Sequence, residues 1–211
     1  MPAPGLFVVV EGPEGSGKST LVRALAARMV AEGHEPVSVR EPGGTSVAES
    51  VRQALLEADH AVAPVAELFL FLAARADLTA QVIRPALDAG RVVLADRFTL
   101  STEVYQVAGR GLDRSLVAAG NDAATGGLRP DLTLVLDLPP GVGRGRQEAA
   151  GKALDRLDRE SGAFHERICR AYVAVTGPGI VHLNGTWPAE RLLDAAWTAV
   201  RDRRPDLWRQ S

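Results

Sequence analysis

Apolar residues fall along this chain in two alternating patterns. Short apolar runs rich in β-branched residues, interrupted at most by one polar residue (Ser38, Thr133, His182), occur at Leu6–Val10, Val37–Val39, Val92–Ala95, Leu132–Leu136 and Ile180–Leu183. A run without period, bounded by Gly or Pro, is the signature of a strand buried on both faces. Between the runs lie longer stretches with helical spacing. Leu21, Leu25, Met29 and Val30 follow the first strand, and Gly33 and Pro36 stop that helix. Further helices are expected at 46–57, 66–89, 115–125, 162–175 and 189–201, with Pro85 kinking or dividing the second of these. Strand and helix alternate throughout, so the pattern predicts an α/β domain with a five-stranded parallel sheet flanked by helices.

Composition narrows the class. The chain has 211 residues, 46% hydrophobic and 24% charged, with a net charge of −2. That is ordinary globular material, enough for one domain spanning 1–211, with no excess of basic charge calling for nucleic acid. The single cysteine, Cys169, excludes an intrachain disulfide. Met1 to Gly5 carries no basic leader, and the apolar stretches are too short for a bilayer. A cytoplasmic enzyme without membrane partners is expected. His34, His60, His165 and His182 lack the spacing of a metal site.

The first strand runs into Gly12, Pro13, Glu14, Gly15, Ser16, Gly17, Lys18, Ser19 and Thr20, which read G-x-x-x-x-G-K-S-T. Between strand and helix this is a phosphate-cradling loop: glycines let backbone N–H groups curl around an anion, and the helix N-terminus adds partial positive charge. The pattern assigns these residues to a nucleoside triphosphate, with Lys18 on its terminal phosphates and Ser19 on Mg2+. Ligands of a parallel sheet sit outside the carboxyl ends of its strands. The second strand ends in Arg40, Glu41, Pro42, Gly43, Gly44 and Thr45, and the third in Asp96 and Arg97. Asp96 is placed to help hold the metal shell and Arg97 to clamp a phosphate.

These residues resemble the bacterial thymidylate kinase family. The resemblance rests on Glu11 to Thr20, Arg40 to Thr45, Asp96-Arg97-Phe98 and Ser101 to Gln106, supported by Phe71 with Arg75, Arg110-Gly111, Pro130 to Thr133 and Asp155 to Asp158. It implies a three-layer P-loop NTPase fold with a short helical lid at about 141–160, and a homodimer; the apolar 66–89 helix is a candidate contact, with core packing as the alternative for its apolar surplus. The implied reaction is transfer of the γ-phosphoryl group of ATP to dTMP, giving dTDP, with Mg2+ as cofactor. Arg40, Arg52 and Arg97 become clamps for the acceptor phosphate. Phe71 and Arg75, four apart on one helix face, become a stacking ring and a donor to the base. Ser101, Thr102 and Gln106 supply polar groups to the base, and Tyr105 sits against the sugar. Glu14, repulsive to ATP, turns to the acceptor side with Glu41 assisting.

Some relatives carry a catalytic arginine within the loop. Gly15 stands at that position here, so the resemblance sends the search to the lid, where Arg144, Arg146 and Arg156 are candidates beside Lys18 and Arg97. Two alternatives stand beside this reading. One is a P-loop kinase for another nucleotide or a nucleoside; the other is a GTP-dependent switch, for which no Asn-Lys-x-Asp follows the fourth strand.

Overall fold

The first strand, β1 (Leu6–Glu11), is buried at every position and forms the centre of the sheet. Its alternating side chains divide between two layers. Leu6, Val8 and Val10 meet Leu21, Leu25 and Met29 of α1 (Lys18–Ala31) and Leu192, Ala196 and Trp197 of α9 (Ala189–Arg203). Phe7 and Val9 face the other way, onto Leu78, Ile83, Ala86 and Phe98. Helices therefore cover both faces of the sheet, as a parallel arrangement requires. The computed structural model describes residues 5–56, 61–151 and 153–208; Glu57, His60 and the lid's Lys152 lie outside the described residues.

The remaining strands are β2 (Val37–Arg40), β3 (Val92–Asp96), β4 (Leu132–Asp137) and β5 (Ile180–Asn184). All are parallel, in the order β2-β3-β1-β4-β5. The register is what positions the chemistry. Val10 of β1 and Arg40 of β2 both lie level with Asp96 of β3. Three chain segments thus leave the sheet side by side at one edge.

The other helices are α2 (Ser46–Leu56), α3 (Pro64–Leu78), α4 (Arg84–Asp88), α5 (Thr99–Thr102), α6 (Arg114–Thr125), α7 (Val142–Ala149) and α8 (Gly162–Val173). The helix expected over 66–89 is divided, as Pro85 dictates. Between α3 and α4 a π-helical segment, Thr79–Ile83, widens the turn, and Arg84 N–H reaches back five residues to Thr79. Pro85 has no N–H to give and its ring crowds the carbonyl four residues earlier, so the ladder shifts by one just before it. A second π-helical segment, Glu103–Gly109, follows α5 and carries Tyr105 and Gln106. The end of the chain is less polar in its packing than in its composition. Leu207 and Trp208 lie against the α1–α9 layer, with the Trp208 ring 4.7 Å from Trp197 and 4.5 Å from His34. Among the described residues no helix is long and apolar enough to cross a membrane.

Candidate active site

At the sheet edge a cavity of about 420 Å³ opens between the phosphate loop, the ends of β2 and β3, α3, the second π-helical segment and α7. On its floor, Lys18 is 7% exposed, and its Nζ donates to the carbonyls of Gly12 (3.0 Å) and Pro13 (2.8 Å). Burial, followed by the Arg97 charge, pushes the Lys18 pKa down to about 8. Ser19 Oγ donates to the Asp96 carboxylate beside it. Among the described residues no cluster of three or more His, Cys, Asp or Glu could hold a metal. One hydroxyl beside one carboxylate nevertheless fits Mg2+, which takes few protein ligands and completes its shell with phosphate oxygens and water.

Arg97 follows β3 with φ 76°, the described non-glycine residue at positive φ. A side chain held in that region costs about 1–3 kcal/mol and persists only where its surroundings over-determine it. They do so here. Arg97 N–H donates to Val10 O (3.0 Å), and Nη2 donates to Glu14 Oε1 (2.5 Å) and Tyr105 Oη (3.3 Å). Nη1 donates to Ser101 Oγ (3.0 Å), Tyr172 Oη (3.2 Å) and Gly12 O (3.4 Å). Glu14 thus turns away from the triphosphate loop's interior and toward the third strand. Behind this group lies Glu11, fully buried, accepting from Phe98 N–H, Ser101 N–H, Ser101 Oγ and Tyr172 Oη. Sequence reasoning assigned no role to Glu11 or Tyr172. Glu11 stands one residue before the loop, which was a signal; Tyr172, 161 residues further on, gave none.

Two other carboxylates organise the acceptor wall. Glu41 takes Nε and Nη2 of Arg75, the closest contact being 2.6 Å. Arg75 is 2% exposed, and its remaining donors go to Thr102 Oγ1 and Asn121 Oδ1 (each 2.6 Å) and Phe98 O (3.0 Å). All five N–H groups are engaged, so donation from Arg75 to a base carbonyl requires exchange of a partner. Glu41, expected to assist at the sugar, is bound up in the same ion pair. Burial alone would raise the Glu67 pKa, but hydrogen bonds from Arg110, Arg156 and Gln106 bring it below the usual carboxylate value. Arg40 lies on Glu49 (2.9 Å to each oxygen), and Arg52 donates to Pro42 O (3.1 Å). Both line the cavity together with Glu41, Phe71, Arg75, Ser101, Thr102, Tyr105 and Gln106. Pro42, Leu56 and Leu157, which the sequence did not single out, add apolar wall, and Gln147 and Asp155 add polar wall.

The structure separates the three lid arginines. Arg146 lines the cavity, and its Nη1 donates to Gly15 O (3.4 Å). Arg144 donates to Glu148 (2.7 Å) and to Asp158 O (3.3 Å), away from it. Arg156 donates to Leu55 O (2.7 Å) and Glu67 (2.6 Å), beneath the acceptor wall. Gly15 also has a steric reason to be glycine. Its φ is 71°, and a Cβ there would lie 2.2 Å from Gly143 O of α7. Conversely, a Cβ on Gly143 would lie 2.0 Å from Glu14 O. The lid helix rests on the loop through two residues without side chains.

The family model described as thymidylate kinase matches residues 10–194. The chain belongs to the thymidylate kinase family. It is 53% identical over 170 residues to a thymidylate kinase of Pseudomonas putida (strain GB-1), covering 80% of each chain. It is 51% identical over 177 residues to one of Desulfovibrio desulfuricans (81% of this chain, 82% of the relative). The alignment with a relative from Thermomicrobium roseum is longer, 44% identical over 199 residues and covering 93% and 94%.

The Lys18 environment has a direct consequence for pH. With nucleotide absent its pKa is about 8, and phosphate charge favours the ammonium form and raises that value. Above pH 8, ATP binding should therefore take up a proton and weaken by up to about tenfold per pH unit. Below pH 8 this group is already charged and contributes no slope. Calorimetric titration at pH 9 in two buffers of different ionisation enthalpy measures the uptake, expected to approach one proton; an uptake of zero contradicts the Lys18 placement.

Proposed function

We propose that the protein transfers the γ-phosphoryl group of ATP to the 5′-phosphate of dTMP, giving dTDP and ADP. The observation that carries the reading is the shared cavity. Lys18 and Ser19 of the triphosphate loop line the same space as Arg97, Arg52, Phe71 and Thr102 on the opposite wall. A transferase for two nucleotides needs both sets in one place, because phosphoryl transfer is chiefly a matter of in-line positioning and charge neutralisation.

In this mechanism an oxygen of the acceptor phosphate forms a bond to the γ-phosphorus. The bond from that phosphorus to the β,γ-bridging oxygen breaks, and its electron pair leaves with ADP. The acceptor is already an anion and needs no general base. Lys18 exchanges the Gly12 and Pro13 carbonyls for terminal phosphate oxygens. Arg97 and Arg52 orient the acceptor phosphate, which competes with Glu14 for Arg97 and leaves that carboxylate to accept from the 3′-hydroxyl. Arg146 supplies the cation that the loop lacks at Gly15. Ser19 and Asp96 would hold Mg2+, which would supply charge neutralisation at the phosphate oxygens. Phe71 stacks on the base. Because Thr102 Oγ1 accepts from Arg75, its own proton remains for the base edge, with Gln106 as a second polar partner. Tyr105 sits against the sugar and disfavours a 2′-hydroxyl.

A homodimer completes the proposal. Val65 and Phe69 are one turn apart on α3 and are 43% and 55% exposed, a pair of apolar side chains suited to a second copy.

Three outcomes test this reading. In a coupled assay against a panel of nucleoside monophosphates, turnover with dTMP should exceed that with dUMP, CMP and AMP; a greater rate with any of these overturns the assignment. Arg146→Ala should lower kcat by about 100-fold or more, since removing a phosphate-neutralising arginine is worth that much. Arg144→Ala should change kcat by less than about threefold, as expected for an exposed ion pair; equal losses in the two variants would refute the lid assignment. Phe69→Glu should convert a dimer to a monomer in sedimentation velocity, and an unchanged dimer places the contact elsewhere.

A further inference from the structure

Arg97 is the one cation of the cavity that sits at a strained backbone position, and its guanidinium divides between two environments. Nη2 faces Glu14 and Tyr105, both of which line the cavity. Nη1 meets Ser101 Oγ at 3.0 Å, itself on the cavity wall, the Gly12 carbonyl at 3.4 Å and, on its inner side, Tyr172 Oη at 3.2 Å. Tyr172 comes from α8, has no exposed surface and does not line the cavity. Its hydroxyl in turn donates to Glu11 Oε2 at 2.9 Å and lies 3.1 Å from Ser101 Oγ. Glu11 is fixed by the backbone N–H groups of Phe98 (2.8 Å) and Ser101 (3.1 Å), the residues that follow Arg97. The chain of bonds closes on itself: the segment that carries Arg97 anchors Glu11, Glu11 anchors Tyr172, and Tyr172 receives Arg97.

We propose that Tyr172 is a positioning residue for phosphoryl transfer, its buried hydroxyl fixing the inner edge of the Arg97 guanidinium so that the outer edge meets the acceptor phosphate. This inference rests on the reading of the protein as a dTMP kinase. The chemistry of the hydroxyl suits the task. Tyr172 is held neutral, since burial and the neighbouring Glu11 push its pKa well above the ordinary phenol value. It therefore always has one proton to give to Glu11 and lone pairs to take from Arg97. A guanidinium on a flexible chain would otherwise follow Glu14, and the bidentate geometry that makes arginine selective for phosphate would be lost. The tyrosine ring has a separate role, packing with its centroid 6.3 Å from that of Tyr105, so hydroxyl and ring can be tested apart.

The test is Tyr172→Phe, which keeps the ring and removes the hydroxyl, assayed beside the parent enzyme. The expected result is a fall of about tenfold in kcat/KM for dTMP, with KM for ATP unchanged. In an Arg97→Lys background the same substitution should have less than a twofold effect, about the resolution of such a cycle, because the group it positions is gone. Ser101→Ala, which removes the neighbouring partner of Nη1, should reproduce the acceptor-side loss if Tyr172→Phe does not fold. An active parent with a fully active Tyr172→Phe variant overturns the inference and leaves the proposed function standing. Equal losses in the two backgrounds, or equal changes in both substrates' KM, also overturn it by marking a structural role. A parent inactive on dTMP overturns both.

Discussion

A cavity that is to receive several phosphate groups has to keep its cations close together when no phosphate is there. Bringing charges out of water costs several kcal/mol each, and like charges in a low-dielectric cleft add to that. The chain meets this constraint by giving these cations stand-in acceptors, carboxylates for some and backbone carbonyls for others. Lys18 rests on two loop carbonyls, Arg97 on Glu14, Arg40 on Glu49 and Arg75 on Glu41. Arg146 reaches the Gly15 carbonyl. The depressed pKa of Lys18 comes first from its burial and then from the Arg97 charge beside it.

The same constraint explains the composition of the phosphate loop. An acidic residue inside a triphosphate cradle is unfavourable by itself, yet Glu14 turns toward Arg97 and Tyr105. The next position, Gly15, is closed to any side chain by the approach of Gly143. A lid helix that touches the loop backbone to backbone brings its own arginine within reach, and a loop that carried an arginine there would hold this helix off. The steric fit between Gly15 and Gly143 leaves no room for a side chain at that loop position.

Local patterns made much of this legible in the sequence. The five strands, the loop between strand and helix, and the division at Pro85 all follow from residues adjacent in the chain. The cavity wall was legible in a different way: Arg40, Asp96 and Arg97 were recognisable as strand-end residues, and parallel register then sets those ends level. What could not be read was the partner of each charge. Arg144, Arg146 and Arg156 have the same chemistry and lie within one irregular segment, and only packing sends them to Glu148, the cavity and Glu67 respectively. The Phe71 and Arg75 pair shows the limit within a helix. Shared spacing put both on the cavity face, but spacing carries no information that Glu41, Thr102, Asn121 and Phe98 would take up all the donors of Arg75.

Those partners also divide the 141–160 segment into two mechanically unlike parts. Its C-terminal part is tied to the acceptor wall. Arg156 N–H donates to Leu56 O at 3.1 Å, its side chain spans Leu55 O and Glu67, and Glu67 in turn holds Gln106 of the cavity. Its N-terminal part, α7, meets the phosphate loop through a glycine contact that has no side chains to interlock and through the 3.4 Å reach of Arg146 to Gly15. The parts are linked by the buried bond from Gln147 Nε2 to Asp158 at 2.7 Å and by Arg144 Nη1 to Asp158 O at 3.3 Å. Buried, charge-assisted networks are stiff, whereas a small backbone contact beside an exposed helix opens at low free energy. Arg146 is therefore mounted on the loosely held part, whereas Gln106 of the cavity shares the Glu67 carboxylate with Arg156 of the fixed one.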